Sequence, residues 1–236
     1  MFLDSYHACA EGLVRISADQ GSRFAKEVAG DFNPIHNPGA KRFVVPGDLL
    51  FSLVLARYGL SPRMSFSFTG MVGAGLGLNF PNTDAADFEI TDTAAKVYLK
   101  VRRCGEAVHD ATLAEAFVRN YVAFSGQTFP NVLVPLMREH GVMINPDRPL
   151  VIYEGMGFDL QRMDMRESEL VLTESILEVR GKRGDVRLGF EIRAGGESVG
   201  TGTKSLVLSG LRPFDEASVA GLVAQYTGSM RSHDVA

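Results

Sequence analysis

Cysteine, strong charge of either sign and long apolar runs are all scarce in this chain of 236 residues, and each scarcity removes a class of function. The two cysteines, Cys9 and Cys104, are too few for a disulfide framework and lack metal-ligand spacing, so a reducing compartment is expected. A net charge of −4 provides no broad basic surface, which argues against nucleic acid as a partner. Residues Met1 to Tyr6 show no basic segment leading into a long apolar run, so neither a signal peptide nor a membrane span is expected, and the cytoplasm is the expected compartment. His7, His109, His140 and His233 have no ligand-like neighbours in the sequence. The short basic runs Lys100 to Arg103 and Lys182-Arg183 suit solvated turns, or alternatively the phosphates of coenzyme A. What the chain does have is 45% hydrophobic content, enough to bury a sizeable core as one large domain or two small ones.

Against that background, residues 30–36, Gly-Asp-Phe-Asn-Pro-Ile-His, gather an acid, an amide and an imidazole around one proline. Asp31 and His36 would face opposite ways on a strand and stand roughly 140° apart on a helix, so regular structure would separate them. Pro34 lacks an N–H and holds Asn33 extended, while Gly30 admits a tight bend, so a loop that brings the two side chains together is expected. A carboxylate and an imidazole that share one water can position and activate it, because histidine titrates near neutral pH. Asn33 suits an Asx-type brace of the turn better than a reacting role. The same composition also makes surface turns without function, and on these residues alone both readings stand.

The following residues add a second feature. Val44-Val45-Pro46-Gly47-Asp48 leads into residues 49–59, whose interior carries only Ser52 and Arg57 as strongly polar side chains. A helix apolar nearly all round is a buried helix. Pro46-Gly47 and Asp48 suit its start, and Gly59 followed by Ser61-Pro62 suits its end. Its first turn leaves backbone N–H groups unpaired on a partial positive charge, at a point where Gly47 lets another group come close. That is a donor for an oxyanion.

Taken together, Gly-Asp-x-Asn-Pro-Ile-His followed by Pro-Gly-x-Leu resembles the signature of MaoC-like dehydratases and (R)-specific enoyl-CoA hydratases, over residues 30–50. The resemblance implies the hot-dog fold, an antiparallel sheet wrapped round one long central helix, with an acyl thioester in a tunnel at a paired interface. By position, Asp31 and His36 match the family's catalytic pair, Asn33 its bracing amide, and Gly47 the helix-start amide that binds the thioester oxygen. The chain departs from the pattern at Ala29, where a serine or threonine is usual, and at Ala25, where an aromatic is usual and Phe24 stands one step back. The segment between His36 and Pro46 is shorter than the family's overhanging one, which implies a reshaped tunnel mouth. Asp48 puts a carboxylate near the oxyanion site, where an apolar residue is common; it also suits the helix dipole. A member that has kept the loop and lost turnover is compatible with these departures.

A helix-then-strand unit occurs twice, at residues 49–59 with 63–71 and at residues 132–141 with 150–156. Both helices end at glycine and both strands in Gly-Met, although Pro135 sits awkwardly in the second helix unless that helix begins close to it. An α+β double hot-dog is therefore expected, with antiparallel sheets each wrapped around a central buried helix. Its N-terminal half would occupy residues 1–112 and carry the Asp/His loop; a degenerate C-terminal half would occupy residues 113–236. Alternation at residues 96–102 and 186–193 reads as half-wet strands, with Ser198 to Ser209 returning antiparallel. Residues 111–124 fit strand or helix and are expected to bridge the halves. Residues 213–229 suit a short terminal helix with a loose end beyond it. Near the second helix, Ser125-Gly126-Gln127-Thr128-Phe129-Pro130 offers hydroxyls and an amide but no aspartate or histidine, so one active site per chain is expected. The glycines from Gly70 to Gly77 mimic a dinucleotide fingerprint, but turn-formers at residues 79–84 replace the helix which that fold needs, so a close-packed connection between strands is expected.

The expected activity is reversible addition of water across the α,β double bond of an acyl thioester. Asp31 and His36 would hold the water, and the N–H near Gly47 would stabilise the thioester oxygen. No metal or redox cofactor is needed; coenzyme A or acyl carrier protein enters as part of the substrate, and a homodimer of such chains is compatible with the fold. The alternatives are a non-catalytic acyl-thioester-binding module and a thioesterase.

Overall fold

The structure, a computed structural model, describes residues 2–234. In chain order, strands β1 (Ala8–Ala10) and β2 (Leu13–Arg15) precede helices α1 (Ala18–Glu27) and α2 (Gly47–Tyr58). Strands β3 (Arg63–Phe68), β4 (Leu78–Asn79), β5 (Asp87–Asp92) and β6 (Val97–Cys104) follow. Helices α3 (Ala111–Thr128) and α4 (Val134–Glu139) lead through β7 (Val142–Met143) to β8 (Val151–Leu160), β9 (Glu169–Arg180), β10 (Arg183–Ala194) and β11 (Glu197–Ser209). Strand β12 (Arg212–Pro213) pairs with β7, and α5 (Glu216–Asp234) ends the described chain.

The ten-stranded sheet runs β1-β2-β4-β5-β6-β3-β8-β11-β10-β9 with antiparallel neighbours throughout. Outward from the β3–β8 seam the order is β3, β6, β5, β4 on one side and β8, β11, β10, β9 on the other. Both series place the first, fourth, third and second strand of their half in turn. One topology is therefore used twice, each time behind a helix, and the halves join edge to edge: the chain is an α+β double hot-dog.

The buried helix of the first half is α2. Eight of its side chains from Asp48 to Leu55 are buried, in line with a sequence apolar on every side. Phe51, fully buried, stacks on Tyr121 at 5.1 Å and meets Phe66 edge-on at 4.8 Å. Gly59 ends the helix at φ 78°, a left-handed conformation that favours glycine, and donates its N–H to the Leu55 carbonyl.

The second half differs from the sequence reading. Residues 111–124, which fit strand or helix in the sequence, are helical and form most of α3, whose N-cap Asp110 accepts hydrogen bonds from the N–H groups of Thr112 and Leu113. The helix then widens to a π-turn at Phe129–Leu133 and continues as α4, so the expected helix at 132–141 is only its last part. Pro130 and Pro135 each remove a backbone donor, and the π-turn, which contains Pro130 and ends just before Pro135, absorbs the mismatch without breaking the rod. The first stretch of this rod (Leu113, Phe117, Tyr121) shares a core with α2; the last (Leu133, Leu136, Met137) packs with Leu188, Phe190 and Leu206 in a second core.

Strand β8 also continues past the expected Gly155-Met156 end to Leu160, where it pairs with β3 and β11. The edge strand β9 was not foreseen; only Leu177 among its side chains is buried, too little alternation to read. Helix α5 runs on to Asp234, so residues 230–234, expected to be loose, are helical, and residues 235–236 lie outside the described residues.

Candidate active site

The loop after α1 turns at Gly30, which takes φ 62°, and the Asp31 N–H donates to the Ala25 carbonyl at 2.7 Å. Asn33 then caps a single 3-10 turn, Pro34–His36, its Oδ1 accepting from the Ile35 N–H at 3.3 Å. Its backbone N–H donates to Asp31 Oδ1 at 2.9 Å, and its Nδ2 donates to the Val151 carbonyl of β8 at 3.1 Å. Asn33 thus braces the loop against the other half of the molecule. The turn brings Asp31 Oδ2 to 3.7 Å from His36 Nε2, with the two residues only 9% and 6% exposed.

The histidine is fixed by its other nitrogen. Nδ1 lies 2.7 Å from the Val44 carbonyl, which can only accept, so Nδ1 carries a proton and the neutral ring has its lone pair at Nε2. Burial raises the Asp31 carboxyl above its ordinary value; the neighbouring imidazole and the Asn33 N–H pull it back in part, and Asp48 adds to the rise. A carboxylate and an imine nitrogen at this spacing are too far apart for a direct hydrogen bond and well placed to accept from one shared donor.

Both groups open on a cavity of about 120 Å³ whose wall also includes Gly47. Helix α2 begins there with Pro46 as N-cap and no side-chain cap. Its start therefore keeps the partial positive charge and free donors of an uncapped first turn. A Cβ at position 47 would lie 3.1 Å from the Phe68 ring, so glycine keeps this approach narrow but open. Asp48 does not point at that site. Its side chain is 2% exposed and turned beneath the floor, where Oδ1 lies 3.8 Å from the Lys204 ammonium.

Several residues at the site come from parts of the chain far from the loop. The Tyr226 hydroxyl of α5 donates to the Gly126 carbonyl at 3.0 Å, accepts from the Phe32 N–H at 3.2 Å and lies 3.4 Å from Asp31 Oδ1. Its ring packs against Phe32 and Phe129, so α5 covers the cavity. Gly126 touches Gly30 backbone to backbone, and a Cβ there would overlap the Gly30 carbonyl. Ser125 and Tyr153 line the wall that the second half supplies, and Leu206 and Leu222 its apolar end. Of these, Ser125 stands out in the sequence as a hydroxyl near the second helix, while Tyr153, Leu206, Leu222 and Tyr226 carry no such signal. Lys204 had a signal in the sequence: it shares its parity in β11 with Leu206 and Leu208, the inward face.

Other residues singled out in the sequence lie elsewhere. Lys100 and Arg102 pair with Glu89 and Asp87 on exposed strands, and Arg183 pairs with Glu154 and Asp185. The stretch from Gly70 to Gly77 connects β3 to β4 without a helix, and Gly70 to Val72 reach the cavity wall. His233 packs its ring against Phe32 at 5.7 Å. Among the described residues, no helix is long and apolar enough to cross a membrane.

Among solved structures, the chain is similar to a MaoC-like dehydratase, at 11% identity and a TM-score of 0.42 over 85% of this chain and 97% of that one. It is similar to the acyl-CoA thioesterase II TesB2 of Mycobacterium marinum, at 10% identity and a TM-score of 0.43 over 90% and 99%. A hot-dog protein of unknown function from Alicyclobacillus acidocaldarius gives 10% identity and a TM-score of 0.45 over 89% and 98%. Scores and identities this low bear neither on the reaction nor on the fold assignment, which rests on the strand order. Among curated proteins, none matches the chain. The family described as "Protein of unknown function (DUF3581)" matches residues 1–217, which include the acid-imidazole loop, both buried helices and the whole sheet, and the chain belongs to that family.

Proposed function

We propose that this protein adds water reversibly across the double bond of a 2-enoyl thioester, forming the 3-hydroxyacyl thioester. One observation carries the reading: Asp31 Oδ2 and His36 Nε2 stand 3.7 Å apart in one cavity, beside the uncapped start of α2 at Gly47. A water seated between them gives one hydrogen bond to each and keeps a lone pair for the β-carbon. The imidazole accepts the proton as the C–O bond forms, and the adjacent carboxylate stabilises the imidazolium. Negative charge moves to the thioester oxygen, where the helix-start N–H groups meet it. The carrier is coenzyme A or acyl carrier protein, acting as part of the substrate.

Crotonyl-CoA is the substrate with which to test this. Loss of absorbance of the conjugated double bond is expected with the unaltered protein, and Asp31→Asn or His36→Ala should each slow it by roughly 10²–10⁴-fold, the usual worth of general acid–base catalysis. Unchanged rates in both variants would remove the mechanism. Release of free thiol would identify hydrolysis instead, and tight binding without turnover a carrier role.

A further inference from the structure

Beneath the cavity floor lies a second polar cluster that the reaction so far leaves unused. Lys204 of β11 has no exposed surface; its Nζ donates to the Tyr121 carbonyl at 3.0 Å and to Ser125 Oγ at 2.9 Å. Asp48 Oδ1 stands 3.8 Å away, and the rings of Tyr121 and Tyr153 lie 4.9 and 5.6 Å from the ammonium. Ser125 Oγ is in turn 2.9 Å from the Tyr153 hydroxyl, and Ser125 and Tyr153 both reach the cavity wall. The cluster joins α2, α3, β8 and β11, and Asp31 acts on it electrostatically from the loop.

Stability gives little reason for it. A buried ion pair rarely does better than apolar residues of the same volume, and Asp48 Oδ1 is left without a hydrogen-bond partner. What the cluster has is direction. An ammonium can only donate, so Ser125 accepts from Lys204; the Tyr153 hydroxyl also donates to Ser125 at rest, and once both hydroxyls rotate, Ser125 hands its proton to Tyr153 and Tyr153 its own to the cavity. The hydration step needs such a donor, because the α-carbon must gain a proton while His36 is taking one.

We propose that Tyr153 is the acid that protonates the α-carbon and is recharged by Lys204 through Ser125, an inference that rests on the hydration reading above. As the water oxygen bonds to the β-carbon and its proton passes to His36 Nε2, the π pair moves to leave an enolate at the thioester oxygen. The enolate's pair forms the new α C–H bond with the Tyr153 proton. The phenolate takes the Ser125 proton, and Ser125 takes one from Lys204, which is left neutral. Once product leaves, His36 releases its proton to water and Lys204 gains one, so no net proton is consumed. Burial raises the phenol well above its ordinary value and depresses Lys204, against the pull of Asp48 and Asp31, so a phenolate regains its proton from this partner at once.

Tyr153→Phe keeps the ring and removes only the hydroxyl. With crotonyl-CoA it should lower kcat by about 10²-fold or more at nearly constant KM, and slow solvent deuterium incorporation at the α-carbon by the same factor. Its melting temperature should be unchanged. Ser125→Ala should give a smaller loss that Ser125→Thr restores, and this pair decides the matter if Tyr153→Phe fails to fold. A kcat within about twofold of the unaltered enzyme in Tyr153→Phe, or a change confined to KM, overturns the acid role and leaves the Asp31–His36 reading standing. An unaltered protein that hydrates no enoyl thioester overturns both.

Discussion

The two halves share a strand order but start their buried helices differently. Helix α3 opens on Asp110, whose carboxylate accepts from the Thr112 and Leu113 N–H groups at 2.8 and 3.1 Å, so its free donors are consumed. Helix α2 opens on Pro46, which has no side chain to offer them. The capped start has its donors paired within the chain; the bare one has no side-chain partner and lies at the cavity wall. The acid-imidazole loop stands before the bare start and nothing equivalent stands before the capped one. Duplication of the sheet has therefore not duplicated the loop. The second half contributes Ser125 and Tyr153 to the wall, with Lys204 behind Ser125, and the apolar end of the cavity.

The sharpest way to break this contrast is to give the first helix the kind of cap that the second one has. Pro46→Ser supplies a hydroxyl for the first-turn N–H groups, and a lost oxyanion donor costs roughly 10²–10³ in kcat. Crotonyl-CoA hydration should fall by about that factor while thermal stability rises slightly; full activity would mean that the helix start takes no part.

A smaller effect follows from the acid that only one half carries. Because burial raises Asp31 above its ordinary value, the folded protein binds that proton more tightly than the unfolded chain does. The ionised carboxylate therefore weakens the fold above its folded pKa, and the penalty fades as pH falls to the unfolded value near 4. Asp31→Asn should accordingly melt a few degrees higher at pH 7, with the gap closing in acid. A lower melting point at neutral pH would contradict the burial argument. Activity, in contrast, needs the carboxylate ionised, so its acid limb should lie above the ordinary carboxylate range.

The smallest effect belongs to the capped helix. Asp110→Ala should cost about 1 kcal/mol, or about 2–4 °C in melting temperature, with kcat unchanged. A loss of turnover there would tie the second helix start to the chemistry after all.

What could be read from the sequence was what is local. The convergence of Asp31 and His36 follows from Gly30 and Pro34 lying beside them, and α2 shows itself by being apolar on every side. The rod of the second half was harder, because Ser125-Gly126-Gln127-Thr128 and two prolines look like a turn. There the close approach of Gly126 to Gly30 and a π-turn reconcile those residues with a helix. Tyr226 reaches Asp31 across 195 positions and Lys204 reaches Ser125 across 79, so no spacing rule could have joined them. Asp48 stands in the first turn of α2, as its sequence position suggests, but its approach to Lys204 is hidden for the same reason, since that cation lies in the other half.

The β3–β8 seam, paired from Arg63↔Asp159 to Ser67↔Gly155, puts both curls of sheet in one polypeptide. Each polypeptide then sets residues of both curls around one cavity. Under the proposed hydration, turnover per molecule should hold steady on dilution to nanomolar solution, and a decline would place part of the site on a second copy.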